Sequence, residues 1–203
     1  YSMKIGITGG MGCGKSTATA MLVAAGYDCI DSDQLIRDEV LRDPEVLKAL
    51  NERFGSNIFA EDGAVDRPKL AEIVFSRESD RFWLEHLTHS KLFTKWRAIL
   101  QGKSNNRWVI EVPLLFEKHL ENWFDFTICV ASSPALQLAR LEQRGIPRPL
   151  AEQRISKQLP LATKIELSDI VLWNDGSIGF LQKEVDIMTA NLNERFPSPS
   201  SIF

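Results

Sequence analysis

The sequence predicts an α/β fold in which helices flank a parallel β-sheet. A strand-like segment at residues 4–8 leads into a glycine-rich turn, and a helical segment follows at 15–25. A second strand-like segment at 27–30 completes a strand, helix and strand within about thirty residues, which is the length of a βαβ unit. Continuous apolar runs at 108–112, 126–130 and 170–173 are typical of parallel strands that are covered on both faces.

The composition excludes several classes of protein. The 203 residues are 44% hydrophobic and 25% charged with a net charge of −3, which is ordinary for a globular chain and disfavours bulk nucleic-acid binding. No run of 18 apolar residues is present to span a membrane. Cys13, Cys29 and Cys129 are odd in number and form no CxxC pair, so we expect a reducing compartment without disulfides or zinc. No secretory signal opens the chain, and a cytoplasmic location is expected.

The remaining segments predict an insert and a lid around the sheet. Amphipathic helical segments replace strand-like runs from Gln34 onward, and Gly102 ends the last of them. Two further helices begin at Pro134 and Pro149, because proline is favoured in the first turn of a helix. We therefore expect a sheet core (3–33, 104–136 and 168–195), a helical insert (34–103) and a small helical lid (137–167).

The glycine-rich turn has the pattern of a phosphate-binding loop. Residues 9–16 are Gly-Gly-Met-Gly-Cys-Gly-Lys-Ser, which fits G-x-x-x-x-G-K-[ST] between a strand and a helix. Glycines let backbone N–H groups approach phosphate oxygens, and the helix that follows adds its N-terminal N–H groups and dipole. Lys15 is expected on the β- and γ-phosphates and Ser16 on Mg²⁺. The predicted nucleotide-binding residues of this P-loop NTPase-type core are Gly12, Cys13, Gly14, Lys15, Ser16 and Thr17.

The sequence favours a kinase among phosphate-loop proteins. The Asp-x-x-Gly and Asn/Thr-Lys-x-Asp patterns of GTPases do not occur. A motor ATPase would need an acidic residue at the end of a strand. Glu111 is such a residue, but Pro113 follows it so closely that the sequence does not favour a motor ATPase. The size of the chain favours a compact kinase for a small molecule.

Two aspartates follow the second predicted strand. Asp31 and Asp33 stand where ligands of an open parallel sheet bind, outside the carboxyl ends of the strands. One carboxylate can accept the proton of an acceptor hydroxyl while the other holds water or metal. The alternative is a structural cap for the helix that starts near Gln34.

A basic segment follows the fourth predicted strand. Its cations are Arg140, Arg144, Arg148, Arg154 and Lys157. Two short helices with this charge would cover a triphosphate and stabilise charge in the transition state. The alternative is a solvated basic face.

Five motifs together resemble the dephospho-CoA kinase family. They are the loop at 6–17, Ile-Asp-Ser-Asp at 30–33, Asp-Gly-Ala-Val-Asp-Arg at 62–67, Val-Pro-Leu-Leu-Phe-Glu at 112–117 and Asn-Asp-Gly at 174–176. The resemblance implies ATP-dependent phosphorylation of the ribose 3′-hydroxyl of dephospho-CoA, the last step of coenzyme A synthesis. It also implies that the helical insert binds the CoA moiety.

The resemblance assigns roles by position. It implies that Asp33 is the catalytic base, that Lys15 and Arg140 act on the phosphates, and that Asn174 meets the adenine edge. ATP and Mg²⁺ are implied, with Ser16 on the metal and either Asp31 or Asp33 contributing through water. The implied substrate-binding residues are Thr8, Asp31, Asp33, Arg67, His89, Pro113, Leu114 and Leu115.

The sequence departs from the family pattern at three positions. Ser32 and Cys13 replace other small residues, and Ser90 follows His89 where the family has His-Pro. A structural role for His89 on its helix is therefore kept open, as is a core role for the apolar run after Pro113.

Two other functions also stay open. They are a nucleoside or nucleotide kinase with a different acceptor and a non-catalytic nucleotide-binding regulator. The expected partners are small molecules, with no nucleic acid or membrane, for a monomer or weak homo-oligomer.

Overall fold

Five parallel strands form one sheet in the computed structural model, which describes residues 2–102 and 107–197. The strands are β1 (Met3–Gly9), β2 (Asp28–Asp31), β3 (Arg107–Glu111), β4 (Phe126–Ala131) and β5 (Ile170–Trp173). Their order across the sheet is β2-β3-β1-β4-β5, and every pairing is parallel. The predicted parallel-sheet α/β fold is confirmed.

Helices account for most of the other described residues. They are α1 (Lys15–Ala24), α2 (Ser32–Asp38), α3 (Pro44–Phe54), α4 (Arg67–Ser76), α5 (Glu78–Gln101), α6 (Pro134–Gln143), α7 (Arg148–Ser156), α8 (Leu161–Leu167) and α9 (Ile178–Arg195). Short 3₁₀ helices lie at Val40–Arg42, Ser56–Ile58 and Glu121–Trp123. Within the described ranges, no helix combines the length and the apolar character that crossing a membrane requires.

The chain divides into two compact units. The sheet unit comprises Tyr1–Asp31 and Ser104–Phe203, and the helical unit comprises Ser32–Lys103. The predicted boundary at 103–104 lies outside the described residues. Each unit has its own buried apolar cluster, which is what allows a segment of chain to be compact by itself.

The core of the sheet unit lies on β1 and its two neighbours. Ile5 pairs with Val109 of β3, Ile7 pairs with Ile128 of β4, and all four side chains are fully buried. Helices α1 and α9 contribute Leu22 and other apolar residues to the same cluster. Burial of β1 on both faces explains why its sequence shows a continuous run instead of alternation.

Local sequence signals set the helix ends of the helical unit. The Asp43 side chain accepts hydrogen bonds from the backbone N–H groups of Glu45 and Val46 at 2.9 and 3.4 Å, and Pro44 follows it in the first turn of α3. Gly55 ends α3 with φ of 78°, a left-handed conformation that glycine adopts without Cβ strain. Val46 and Leu50 of α3 are fully buried in the cluster of this unit.

Two segments differ from the prediction. The helix predicted to start near Gln34 instead begins at Ser32, directly after β2 in the chain, and it is followed by a 3₁₀ turn at Val40–Arg42. Asp33 lies in the first turn of α2, where a negative charge is favoured by the helix dipole. Helix α8 was not predicted, because its seven residues between Pro160 and Ser168 are too short to show a periodic apolar pattern.

Candidate active site

The segment between β1 and α1 forms a tight loop with two left-handed glycines. Gly12 has φ of 79° and Gly14 has φ of 90°, values that residues with a side chain rarely adopt. A Cβ at Gly12 would lie 2.7 Å from the carbonyl oxygen of Gln137, and one at Gly14 would collide with the Asn174 side chain. The backbone geometry of this loop therefore requires glycine at positions 12 and 14 of the pattern at residues 9–16.

Side chains from two other elements hold the carbonyl groups of this loop. Gln137 of α6 donates from Nε2 to the Met11 carbonyl oxygen at 2.9 Å, and Asn174 donates from Nδ2 to that of Cys13 at 2.9 Å. The first turn of α1 follows at once, and its first helical hydrogen bonds run from the N–H groups of Thr17 and Ala18 to the Gly14 carbonyl oxygen, so the N–H groups of Lys15 and Ser16 lie before them. This arrangement fixes a loop whose N–H groups can bind anions.

Arg140 of α6 connects the loop with the segment after β5. Its Nη1 donates to Ser132 Oγ at 2.8 Å and to the Gly12 carbonyl oxygen at 3.3 Å, while Nη2 donates to the Asn174 carbonyl oxygen at 2.7 Å. The structure thus places Arg140 and Asn174 together at the phosphate loop, while their predicted contacts with ATP stay predictions. It also gives both residues a bracing role that the sequence did not indicate.

Lys15 forms an ion pair with Glu111 at the carboxyl end of β3. Its Nζ donates to Glu111 Oε2, and both side chains are less than one-fifth exposed. Lys15 begins α1, and Glu111 is the register partner of Ile7 on β1 and of Asp31 on β2. The sheet therefore aligns an ammonium group and two carboxyl-bearing residues at the edge where the phosphate loop begins.

Thr8 and the segment after β3 are joined through one carbonyl group. Thr8 is fully buried, and its Oγ1 donates to the Pro113 carbonyl oxygen at 3.0 Å. Lys164 of α8 donates from Nζ to the same oxygen at 3.1 Å and lies 2.8 Å from Glu117 Oε1. The Glu117 carboxylate in turn accepts the backbone N–H of Leu159 at 3.0 Å. This buried pair connects the 113–117 segment with the predicted lid.

The three apolar residues predicted to contact substrate are not equivalent. Leu114 is 37% exposed and Pro113 is partly exposed. Leu115 has no exposed surface, and its side chain lies against the Cα face of Gly6. The burial of Leu115 favours a core role for it, while Pro113 and Leu114 stay candidates for substrate contact.

The predicted site residues of the helical unit lie on three of its helices. Asp33 is an exposed residue in the first turn of α2, and Arg67 is exposed at the start of α4. His89 is half-buried on α5, where its ring lies 5.8 Å from the ring of Phe93 one turn later. That contact is a structural role for His89, and the substrate-binding roles of these residues stay predictions.

Cys13 lies inside the phosphate loop but is fully buried. Burial raises the pKa of the Cys13 thiol, against the smaller opposing effects of hydrogen bonds from Ser132 and Gly10 and of the Arg140 charge. A reactive cysteine needs a lowered pKa and exposure. The structure therefore favours the interpretation of Cys13 as a small tolerated residue.

Sequence reasoning missed Glu111 and the Glu117–Lys164 pair as parts of this region. The Pro113 that follows Glu111 disfavours a role for this residue in the sequence, although a single carboxylate at the end of a buried strand is the available signal. No local signal marks Lys164, which is fully buried although it is lysine. Its partner lies 47 positions earlier in the chain, so only the folded structure joins them.

The strand order and the braced loop between β1 and α1 define a nucleotide-binding protein of the P-loop class. Residues 3–179 match the family described as CoaE, dephospho-CoA kinase. The chain belongs to this family of ATP-dependent kinases.

Individual relatives cover nearly the whole chain. A dephospho-CoA kinase from Thermosynechococcus vestitus is 39% identical over 186 residues, which are 91% of this chain and 92% of that protein. The crystal structure of TT1252 from Thermus thermophilus superimposes with a TM-score of 0.82 at 31% identity, covering 95% of this chain and 98% of the other. Dephospho-CoA kinase from Campylobacter jejuni has a TM-score of 0.71 at 24% identity over 96% and 99% of the two chains, which shows the shared fold.

Proposed function

We propose that this chain transfers the γ-phosphoryl group of ATP to the ribose 3′-hydroxyl of dephospho-CoA, giving coenzyme A in the last step of its synthesis. The observation that carries the proposal is the braced phosphate loop with Lys15 at its end, in a chain of the dephospho-CoA kinase family. The 3′-hydroxyl as acceptor rests on that membership.

ATP binds, in this proposal, with its phosphates on the N–H groups of residues 12–17. Lys15 exchanges the Glu111 carboxylate for β- and γ-phosphate oxygens, and its charge offsets the charge that develops on transfer. Arg140 contributes a second positive charge while its nitrogens hold the loop carbonyls. Asn174 lies beside the loop, and its predicted contact with the adenine edge belongs to the same proposal.

The residues present suit Mg²⁺, which prefers oxygen ligands and keeps several waters. The exposed Ser16 hydroxyl lies in the first turn of α1, and the Asp31 and Glu111 carboxylates belong to paired strand ends. These groups would hold the ion directly or through its waters. When bound, Mg²⁺ neutralises charge between the β- and γ-phosphates.

Asp33 serves as the base that accepts the proton of the acceptor hydroxyl. Its support is its place in the first turn of α2, which begins directly after the strand end Asp31, together with the matching family motif. Arg67, His89, Pro113 and Leu114 are proposed to contact dephospho-CoA, with residues 34–103 as the acceptor-binding insert. The basic helices of 137–167 act as a lid over the phosphates.

A coupled ADP-release assay with ATP and Mg²⁺ tests the function. Dephospho-CoA is compared with AMP, CMP, adenosine and no acceptor, and Lys15→Ala serves as the control for a contaminating kinase. We expect turnover that requires dephospho-CoA and is lost in Lys15→Ala. Turnover with a nucleotide instead would reassign the acceptor, and ATP binding without turnover for any acceptor would favour a regulator.

A further inference from the structure

The helical unit contains a small cavity with an unusual concentration of arginine. Its volume is 220 Å³, and its lining includes Arg37 and Asp38 of α2, Arg42 of the 3₁₀ turn and Arg67 at the start of α4. Three arginines and one aspartate give the lining a net formal charge of +2. The cavity lies entirely within the helical unit and is therefore distinct from the phosphate loop.

Among the residues that the structure describes, these arginines differ from most cations of the same unit because their side chains form no ion pair. Arg53 forms an ion pair with Asp80 at 2.6 Å, and Lys95 forms one with Glu39 at 2.9 Å. Within residues 2–102 and 107–197, by contrast, Arg37, Arg42 and Arg67 make no ion pair or side-chain hydrogen bond.

The position of Arg67 also favours a nearby anion. Arg67 is the first residue of α4, where the helix dipole favours negative charge. All three arginines are exposed, so their guanidinium groups are accessible to a ligand. A bound anion would give them a charged partner.

We propose that this cavity binds the diphosphate bridge of the acceptor, dephospho-CoA. The proposal rests on the function proposed above and names a subsite for it. A diphosphate diester carries two negative charges, which match the net +2 of the lining. Guanidinium groups bind phosphate oxygens in a two-point geometry that suits this group. Pockets for a drug-sized ligand are about 300–1,000 Å³, so a 220 Å³ cavity fits one charged group and not the whole acceptor.

The arginines then have a defined task in substrate selection. They recognise the part of the acceptor that adenosine lacks, and they fix the acceptor by a charge that does not take part in the reaction. Binding energy from such a remote group positions the reacting hydroxyl. Arg37 and Arg42 are therefore specificity residues alongside Arg67.

Calorimetric titration with dephospho-CoA tests the subsite directly. The phosphate loop is first saturated with a non-hydrolysable ATP analogue and Mg²⁺, and wild type is compared with Arg37→Gln and Arg42→Gln. The matched control is Arg77→Gln, because Arg77 is an exposed arginine of the same unit that is not part of the cavity lining. Loss of one charge-assisted contact should raise the Kd for dephospho-CoA at least about tenfold, while the control and the Kd for the nucleotide stay unchanged.

Two further arms identify the bound group. Inorganic pyrophosphate should compete with dephospho-CoA on the nucleotide-saturated wild type and compete less well on Arg42→Gln. Adenosine, titrated as a ligand without a diphosphate into the nucleotide-saturated protein, should bind wild type and variants with the same Kd.

Four outcomes overturn the subsite. They are an unchanged Kd for dephospho-CoA in both variants, an equal loss in Arg77→Gln, an equal loss for adenosine, and failure of pyrophosphate to compete. If the Kd for dephospho-CoA is unchanged in both variants while wild type still phosphorylates dephospho-CoA, the subsite is wrong and the proposed function stands. If wild type neither binds nor phosphorylates dephospho-CoA, the subsite and the proposed function are both wrong.

Discussion

Asp33 is the residue on which the proposed chemistry depends most. Replacing it by asparagine keeps the size of the side chain but removes the proton acceptor, so we expect Asp33→Asn to lower kcat by about 10²–10⁴, the range for general acid–base groups. The affinity for ATP should be kept, because the phosphate loop belongs to the sheet unit. Steady-state kinetics with dephospho-CoA and a nucleotide-binding titration measure the two quantities.

The matched control is Asp186→Asn, which removes an exposed carboxylate on α9 and should leave kcat unchanged. If Asp33→Asn turns over as fast as this control, Asp33 is not the base.

Single residues were predictable where a short stretch of sequence determines their geometry. Gly12, Gly14 and Lys15 lie in one motif, and the left-handed φ angles of the two glycines are the physical reason that the motif needs them. The ion pair between Lys15 and Glu111 joins positions 96 apart in the chain. Such a pair depends on the order and register of the strands. It could not be predicted because no local sequence pattern determines either of them.

Helix α8 is held to the rest of the sheet unit by a buried charge. Lys164 has no exposed surface, and its ammonium group contacts both the Glu117 carboxylate and the Pro113 carbonyl oxygen. Lys164→Met would leave Glu117 without its partner in a buried site, which typically destabilises a protein by about 3–5 kcal/mol. Urea unfolding followed by circular dichroism measures this change.

Two comparisons make the Lys164 experiment specific. Lys183→Met removes an exposed lysine of α9 and should have almost no effect on stability. The double variant Lys164→Met with Glu117→Gln removes both charges and should recover part of the lost stability. A stability loss in Lys164→Met no larger than in Lys183→Met would contradict the buried ion pair.

The N-cap residue of helix α4 is Asp66, whose carboxyl group can be protonated at low pH. The Asp66 carboxylate accepts the backbone N–H of Lys69 at 3.2 Å, and this hydrogen bond, together with the Lys69 ammonium, lowers the pKa of Asp66. A lowered pKa in the folded state means that Asp66 stabilises the fold above its unfolded pKa of about 3.9. That contribution is lost as the pH falls through the folded value.

Asp66→Asn tests this pH dependence, because asparagine still caps a helix but does not titrate there. Between about pH 6 and about pH 3, the melting temperature of wild type should fall further than that of Asp66→Asn. Parallel melting curves across this range would show that Asp66 does not contribute to the acid sensitivity.

Elements were predictable when they were long or clearly bounded. Pro44 and Gly55 bound α3 in the sequence and in the structure, because a proline start and a glycine end are local backbone effects. Helix α8 has only seven residues, and its position depends on buried contacts such as that of Lys164, so no periodic pattern indicates it. A helix near Gln34 was predictable, but its start at Ser32 depends on the chain connection to β2.

At the scale of the molecule, the two units have separate cores. Leu50 belongs to the cluster of the helical unit and Leu22 to that of the sheet unit, and both are fully buried. Leucine to alanine at either position should cost about 2–5 kcal/mol. Hydrogen exchange with mass spectrometry should show Leu50→Ala reducing protection mainly in residues 32–102, and Leu22→Ala mainly in the sheet unit.

Each of these variants is the control for the other, since the substitution and the burial are the same. Equal loss of protection across the chain in both variants would mean that the two units unfold together as one.

In the proposed function, the chain couples ATP cleavage to phosphorylation of one hydroxyl of dephospho-CoA. The most direct measurement incubates the protein with ATP, Mg²⁺ and dephospho-CoA, and determines by mass spectrometry and phosphorus NMR how much ADP forms and where the phosphate is attached. We expect equal amounts of ADP and of product phosphorylated at the ribose 3′-hydroxyl, with neither formed by Lys15→Ala. ADP without phosphorylated acceptor, or a phosphate at another position, would contradict it.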